Sequence, residues 1–152
     1  MLKNGQPAPN FTIPCDHGSF NLQKRLGKKI VIFFFPKAET SGCTKEAIDF
    51  SHLKADFESI NAIVLGISKD KKEKLIKFRE KNSITCLLGS DSDGAVCETF
   101  GVWVEKSLYG RKYMGIQRAT FVISEGGVLI ETWPKVKVEG HAREVLEKLK
   151  ES

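Results

Sequence analysis

Six consecutive apolar residues, Ile30 to Phe35, form the longest hydrophobic run in the chain. A run of that length, built from β-branched and aromatic residues, predicts a strand buried on both faces. The run stops at Pro36, and the segment from Pro36 to Gly42 cannot continue it, so a loop follows. Beyond the loop, Ala47, Phe50, Leu53 and Phe57 recur at helical spacing. Cys43 stands at the head of that stripe, four residues before Ala47. A buried strand, a tight loop and a helix start with a thiol on it constrain the rest of the chain to an α/β arrangement around this crossover.

The remaining segments are read around that centre. Gln6-Pro7-Ala8-Pro9 is an extended lead-in, because prolines disfavour helix. Phe11, Ile13 and Cys15 alternate as in a short strand, Asp16 to Ser19 turns, and Phe20-Asn21-Leu22 returns as its hairpin partner. Ile63 to Ile67 is a second buried strand, Lys71 to Lys81 a helix carrying Leu75 and Phe78, and Ile84 to Leu88 a third strand. Ser90 to Gly94 is a turn placed to cap a helix with Ala95, Val96, Thr99 and Phe100 on one face. Lys106 to Gly115, with two glycines, reads as an irregular excursion. Arg118 to Ile123 and Val128 to Trp133 are strands joined by a turn at Glu125-Gly126-Gly127. Ala142, Val145, Leu146 and Leu149 mark a last helix. The order β-β-β-α-β-α-β-α-β-β-α implies a mixed central sheet flanked by helices on both faces, a thioredoxin-like sandwich. With 152 residues and no linker, repeat or low-complexity tract, residues 1–152 are expected to form a single domain.

Charge and cysteine usage narrow the class. Net charge is +5, but the basic residues are spread along the chain, and the densest group, Lys69 to Lys74, is interrupted by acids. That pattern fits a solvated helix start better than a nucleic-acid surface. No run is long enough to span a membrane, and Met1 to Pro7 has no apolar signal-peptide core, so a cytoplasmic location is expected. The four cysteines, Cys15, Cys43, Cys86 and Cys97, form no C-x-x-C pair and are expected to rest as free thiols in a reducing compartment.

Cys43 has the local setting of a reactive thiol. Unpaired N–H groups and the partial positive charge of a helix N-terminus favour the thiolate, which is the nucleophilic form. The Thr40 hydroxyl, three residues earlier, can hydrogen-bond the thiolate or an oxygen beside it. Pro36 presents no N–H and can shield the sulfur from water. A buried cysteine is often only a small apolar residue; Pro36, Thr40 and Gly42 together favour function here.

The stretch Phe34-Phe35-Pro36 through Thr40 to Cys43-Thr44-Lys45-Glu46-Ala47 resembles the active-site signature of the peroxiredoxins, P-x-x-x-T-x-x-C. Gly115 to Phe121, Gly5 to Phe11 and Lys135 to His141 extend the likeness over essentially the whole chain, towards the bacterioferritin-comigratory-protein (PrxQ) subfamily. The resemblance implies a thiol peroxidase that reduces hydrogen peroxide and organic hydroperoxides without metal, flavin or haem. It implies Cys43 as the peroxidatic cysteine, with Pro36, Thr40 and Arg118 building its pocket. Arg118 would stabilise the thiolate and hold a peroxide oxygen. Glu46, in the first helical turn, either orients Arg118 or simply suits the helix dipole.

The chain departs from that subfamily where the second thiol would be. Many relatives carry a resolving cysteine five residues after the first, where this chain has Ile48; others carry it on the next helix, at the position of Arg79. Cys86 and Cys15 alternate with core residues and read as buried. Cys97 points away from the apolar face of its helix and is expected to be accessible, the first choice among internal resolving thiols. A one-cysteine cycle, with thioredoxin, glutaredoxin or glutathione as reductant, is the favoured expectation, and a monomer is expected. A thioredoxin-type oxidoreductase would need C-x-x-C, and a cysteine hydrolase a histidine base. His52, nine residues along the helix, faces away from Cys43, and His141 is expected at a cap or on the surface.

Overall fold

The computed structural model describes residues 1–151. Its centre is β3, Lys29–Phe34, in a five-stranded sheet. β3 pairs in parallel with β4, Ala62–Ser68, which pairs in parallel with β5, Leu87–Ser90. On its other side β3 is antiparallel to β8, Ala119–Ile123, and β8 is antiparallel to β9, Leu129–Trp133. The order β5-β4-β3-β8-β9 is the expected mixed sheet.

Strand pleating divides the central run between two cores. Val31, Phe33 and Phe35 join Cys43, Phe50, Phe57, Phe78 and Leu146 on one face, while Ile30, Ile32 and Phe34 join Phe20, Phe100 and Phe121 on the other. The Cys43 face is covered by α2 (Ser41–His52), α3 (Lys54–Ser59), α4 (Lys72–Asn82) and α6 (His141–Lys150). The opposite face is covered by the hairpin of β1 (Thr12–Pro14) and β2 (Ser19–Asn21) and by two short helices, α1 (Leu22–Arg25) and α5 (Ala95–Thr99). Helices thus lie on both faces, with the long ones all on the side of the thiol. The Phe33 and Phe50 rings stack at 4.6 Å, which seats α2 on β3. Gly66 on β4 makes room for Phe33: a Cβ there would come within 2.5 Å of the ring.

Several expected elements differ. Ile84 to Cys86 is not strand, because Arg79 on α4 takes the carbonyls of Ile84 and Cys86 in hydrogen bonds of 2.7 and 2.8 Å. The strand begins only at Leu87. Leu22 opens α1 rather than ending the hairpin, since the Asn21 side chain accepts from Lys24 N at 3.0 Å and caps a helix there. The helical stripe after Cys43 is interrupted at Leu53, between α2 and α3.

The largest correction concerns Lys106 to Gly115. Two strands, β6 (Trp103–Leu108) and β7 (Arg111–Ile116), pair as an antiparallel hairpin separate from the main sheet. Its turn residues, Tyr109 and Gly110, both have positive φ, 51° and 77°. That is the backbone a right-twisted hairpin needs, though Tyr is an unusual choice at the first position. Much of the hairpin is exposed, including Leu108, Tyr109, Tyr113 and Met114, so it carries no clean apolar alternation to signal strand.

Candidate active site

Cys43 is the third residue of α2 and only 1% exposed. The loop leading to it is held from two sides. Ala38 N donates to Asp70 Oδ2 at 2.7 Å, and Ser68 Oγ donates to the same oxygen at 2.8 Å. Asp70 thereby fastens the loop to the end of β4. Glu39 sits in the left-handed region, φ 73°, and pairs with Lys81 at 3.5 Å. Asp70 was not singled out by its sequence, although the carboxyl end of a parallel strand is where α/β sites are usually built.

Thr40 occupies the N-cap position of α2 in extended conformation. Its hydroxyl donates to the Lys37 carbonyl at 2.8 Å, and its own carbonyl accepts from Thr44 N and Thr44 Oγ1 at 2.9 and 2.7 Å. Of the two partners expected for Thr40, the sulfur is not the one its hydroxyl bonds here, since that proton closes the loop; the hydroxyl oxygen is left to accept from a group beside the sulfur. Pro36 is half-buried where the loop leaves the sheet.

Arg118, just before β8, arrives from 75 residues away. Antiparallel pairing of Phe34 with Ala119 sets it beside the strand end from which the loop departs. Nη2 donates to Cys43 Sγ at 3.3 Å and Nη1 to Glu46 Oε1 at 2.7 Å. A Cβ on Gly42 would touch the same guanidinium at 3.4 Å. Burial works against the Arg118 charge, but Glu46 and Cys43 together hold its pKa above the usual value. Glu46 is 1% exposed, and burial pushes its carboxyl up to about 7 despite Arg118. Its Oε2 has no hydrogen-bond partner among the described residues. Of the two readings of Glu46, contact with Arg118 is the one realised.

Two further groups surround this pair. Lys106 on β6 lies in the field of Cys43 and Arg118; burial and Arg118 lower its pKa while Cys43 raises it. His141, at the head of α6, is buried and not on the surface. The rings of Phe50 and Trp133 pack edge-on against it, and its Nε2 shares a 2.7 Å hydrogen bond with Thr120 Oγ1. Burial keeps its pKa below the ordinary histidine range. His52 is exposed, and among the described residues no histidine hydrogen-bonds Cys43 Sγ, whose partner is Arg118.

The other thiols differ in kind from Cys43. Cys97 is 0% exposed, contrary to its expected accessibility. The expected apolar face of the five-residue α5 is rotated: Ala95 and Thr99 are exposed, while Val96, Cys97 and the following Phe100 turn into the core, and Asp91 caps the helix by accepting from Val96 N and Cys97 N at 3.1 and 2.8 Å. Burial and the Asp91 carboxylate push the Cys97 thiol up. Burial likewise raises Cys15 and Cys86, each to about 11. All four cysteines are free. Arg79 is committed to Asp16, which it grips through Nε and Nη2. Among the described residues no group of three or more His, Cys, Asp or Glu is placed to hold a metal ion, and no helix is long and apolar enough to cross a membrane.

The chain as a whole is similar to known proteins. The AhpC/TSA family model matches residues 4–132. Peroxiredoxin Bcp of Bacillus subtilis is 43% identical over 151 residues, covering 99% of this chain and 96% of the relative. The structure of a Xylella fastidiosa PrxQ mutant superposes with a TM-score of 0.95 at 36% identity, covering 99% of this chain and 97% of that one. The Xanthomonas campestris bacterioferritin comigratory protein, described for its alkyl peroxide reduction activity, gives 0.92 at 36% identity over 98% of both chains. This chain belongs to the AhpC/TSA family, on its Bcp/PrxQ branch, and is a thiol-dependent peroxidase of the thioredoxin-like fold.

Proposed function

We propose that residues 1–152 act as one peroxiredoxin unit, a monomer in a reducing compartment such as the cytoplasm. It reduces hydrogen peroxide and alkyl hydroperoxides at Cys43 and draws electrons from an external thiol. The 3.3 Å contact between Arg118 Nη2 and Cys43 Sγ carries this reading. The thiolate attacks one peroxide oxygen along the O–O axis; water or an alcohol leaves, and Cys43 becomes a sulfenic acid. Thiolate nucleophilicity falls as basicity falls, so ionisation alone does not account for the rate. Donors aimed at the O–O bond in the transition state supply the rest. Arg118 and the backbone N–H groups of the first α2 turn fill that role. Thr40 closes the loop and offers its hydroxyl oxygen to the peroxide proton, and Pro36 keeps bulk water off the sulfur.

Resolution comes from outside the chain. Cys15, Cys86 and Cys97 are buried and held protonated, and the family resemblance implies that Ile48 and Arg79 stand where relatives carry a second thiol. Thioredoxin, glutaredoxin or glutathione supplies the attacking thiolate. Cys43→Ser is expected to abolish peroxide consumption while the circular dichroism of the fold is unchanged. Retained turnover in that variant would contradict the assignment.

A further inference from the structure

The thiolate mechanism leaves one proton unaccounted for. An alkyl hydroperoxide that loses its terminal oxygen to sulfur departs as an alkoxide, a poor leaving group unless protonated as the O–O bond breaks. The proton that left Cys43 when it ionised has to be stored close by for that moment.

From the shared guanidinium and the unpartnered carboxylate oxygen beside it, we infer that Glu46 is the proton store and general acid of the peroxidase step. Three observations carry this. Cys43 and Glu46 lie three residues apart on α2 and so share a helix face. One guanidinium binds both, Nη2 on the sulfur and Nη1 on Oε1. Oε2 is buried with no hydrogen-bond partner among the described residues, which is where a proton would reside. A single buried cation next to a thiolate and a carboxylate cannot balance both anions, so the pair holds one proton between them. The raised pKa of Glu46, about 7, agrees with that sharing.

The charged groups around Glu46 support the same state. Arg118 faces it from the start of β8, and Cys43 and Asp49 share its helix. Lys106 on β6 and His141 on α6 feel Arg118, and burial disfavours the charged form of each. The step balances without any further reactant. The Cys43 S–H proton passes to Glu46 Oε2, giving a thiolate and a carboxylic acid. Sulfur attacks the terminal peroxide oxygen: the S–O bond forms, the O–O pair goes to the alkoxy oxygen, sulfur is oxidised and the peroxide reduced. Glu46 then gives its proton to the alkoxy oxygen, directly or through one water. The products are a sulfenic acid, an alcohol and the original carboxylate.

This assignment rests on Cys43 being the peroxidatic thiol, and its test separates the two. Single-turnover oxidation of Cys43 is followed with an alkyl hydroperoxide, whose leaving group needs a proton, and with a peracid, whose leaving carboxylate does not. Glu46→Gln is expected to slow the alkyl hydroperoxide roughly 10²-fold more than the peracid. The wild-type alkyl hydroperoxide rate is expected to fall on the alkaline side as Glu46 loses its proton, and the variant should lack that fall. Equal slowing of both substrates, or no slowing, would overturn the proposal while leaving the role of Cys43 intact. A control that needs no variant is the solvent deuterium effect on the wild-type protein. It should be larger with the alkyl hydroperoxide than with the peracid, and equal effects count against Glu46. If neither oxidant reacts at Cys43, the underlying peroxidase reading falls instead.

Discussion

Arg118 and Glu46 make a buried hydrogen-bonded pair. Removing the guanidinium leaves the Glu46 carboxyl buried without its donor, at a cost of about 1–3 kcal/mol. Arg118→Met is therefore expected to lower unfolding free energy by that order as well as slow peroxide turnover. A variant as stable as the wild type in denaturant melts would contradict the pairing. Glu46 adds a pH term of definite sign. Its folded-state pKa, about 7, lies above the ordinary 4.5. The folded chain thus holds a proton that the unfolded chain has lost, and stability falls as pH rises from about 4.5 through 7. At about 1.4 kcal/mol per unit the effect is on the order of 3 kcal/mol. Urea melts of wild type and Glu46→Gln at pH 4 and pH 8 should diverge by that order in favour of the variant at the higher pH; a constant gap would refute it. His141 acts oppositely, since its lowered pKa makes acid below about 6.5 destabilising. At this scale the sequence was only partly readable. Cys43 declared itself by its helix start, but Arg118, 75 residues away, reads alone as a surface arginine and was placed by family likeness. His141 was misread because nothing local indicates the Phe50, Thr120 and Trp133 that enclose it.

Elements built from local signals were legible; those set by a distant partner were not. The central strand, its loop and the helix after it follow from one apolar run, one proline and one periodic stripe. The start of β5 depends on Arg79, a residue on the preceding helix that removes two carbonyls from any ladder. Arg79→Met should free those carbonyls and strand Asp16, destabilising the fold by about 3–5 kcal/mol. Hydrogen exchange should then increase first in the β1–β2 hairpin and around residues 84–86, and unchanged exchange there would count against this role. The β6–β7 hairpin escaped notice because it stands apart from the main sheet and turns at Tyr109, which is 97% exposed and left-handed. Its root is nonetheless fixed, with Lys69 Nζ 3.9 Å from the Trp103 ring centre. Close strand packing is testable at Gly66. Gly66→Ala drives a methyl into Phe33 and should cost about 1–3 kcal/mol.

At the scale of the whole molecule, the proposed reactivity falls on one sulfur. The sheet separates two cores, and three of its four thiols are sealed in them with their protons held. The fourth, buried in the same way, is the one that touches a guanidinium at a helix start. Composition and element order made the sandwich readable from the sequence, because alternating strands and helices admit few topologies. They did not reveal that Cys97 is enclosed, which depends on which side of a five-residue helix turns into the core shared with the β1–β2 hairpin and the sheet. A division of labour is therefore expected, with Cys43 reacting and an external thiol completing the cycle. Peptide mass spectrometry after one equivalent of peroxide, with a sulfenic-acid trap and no reductant, tests this directly. The trap should label Cys43 alone, with Cys15, Cys86 and Cys97 unmodified. An unmodified Cys43, or a disulfide between Cys43 and any of the other three, would contradict it.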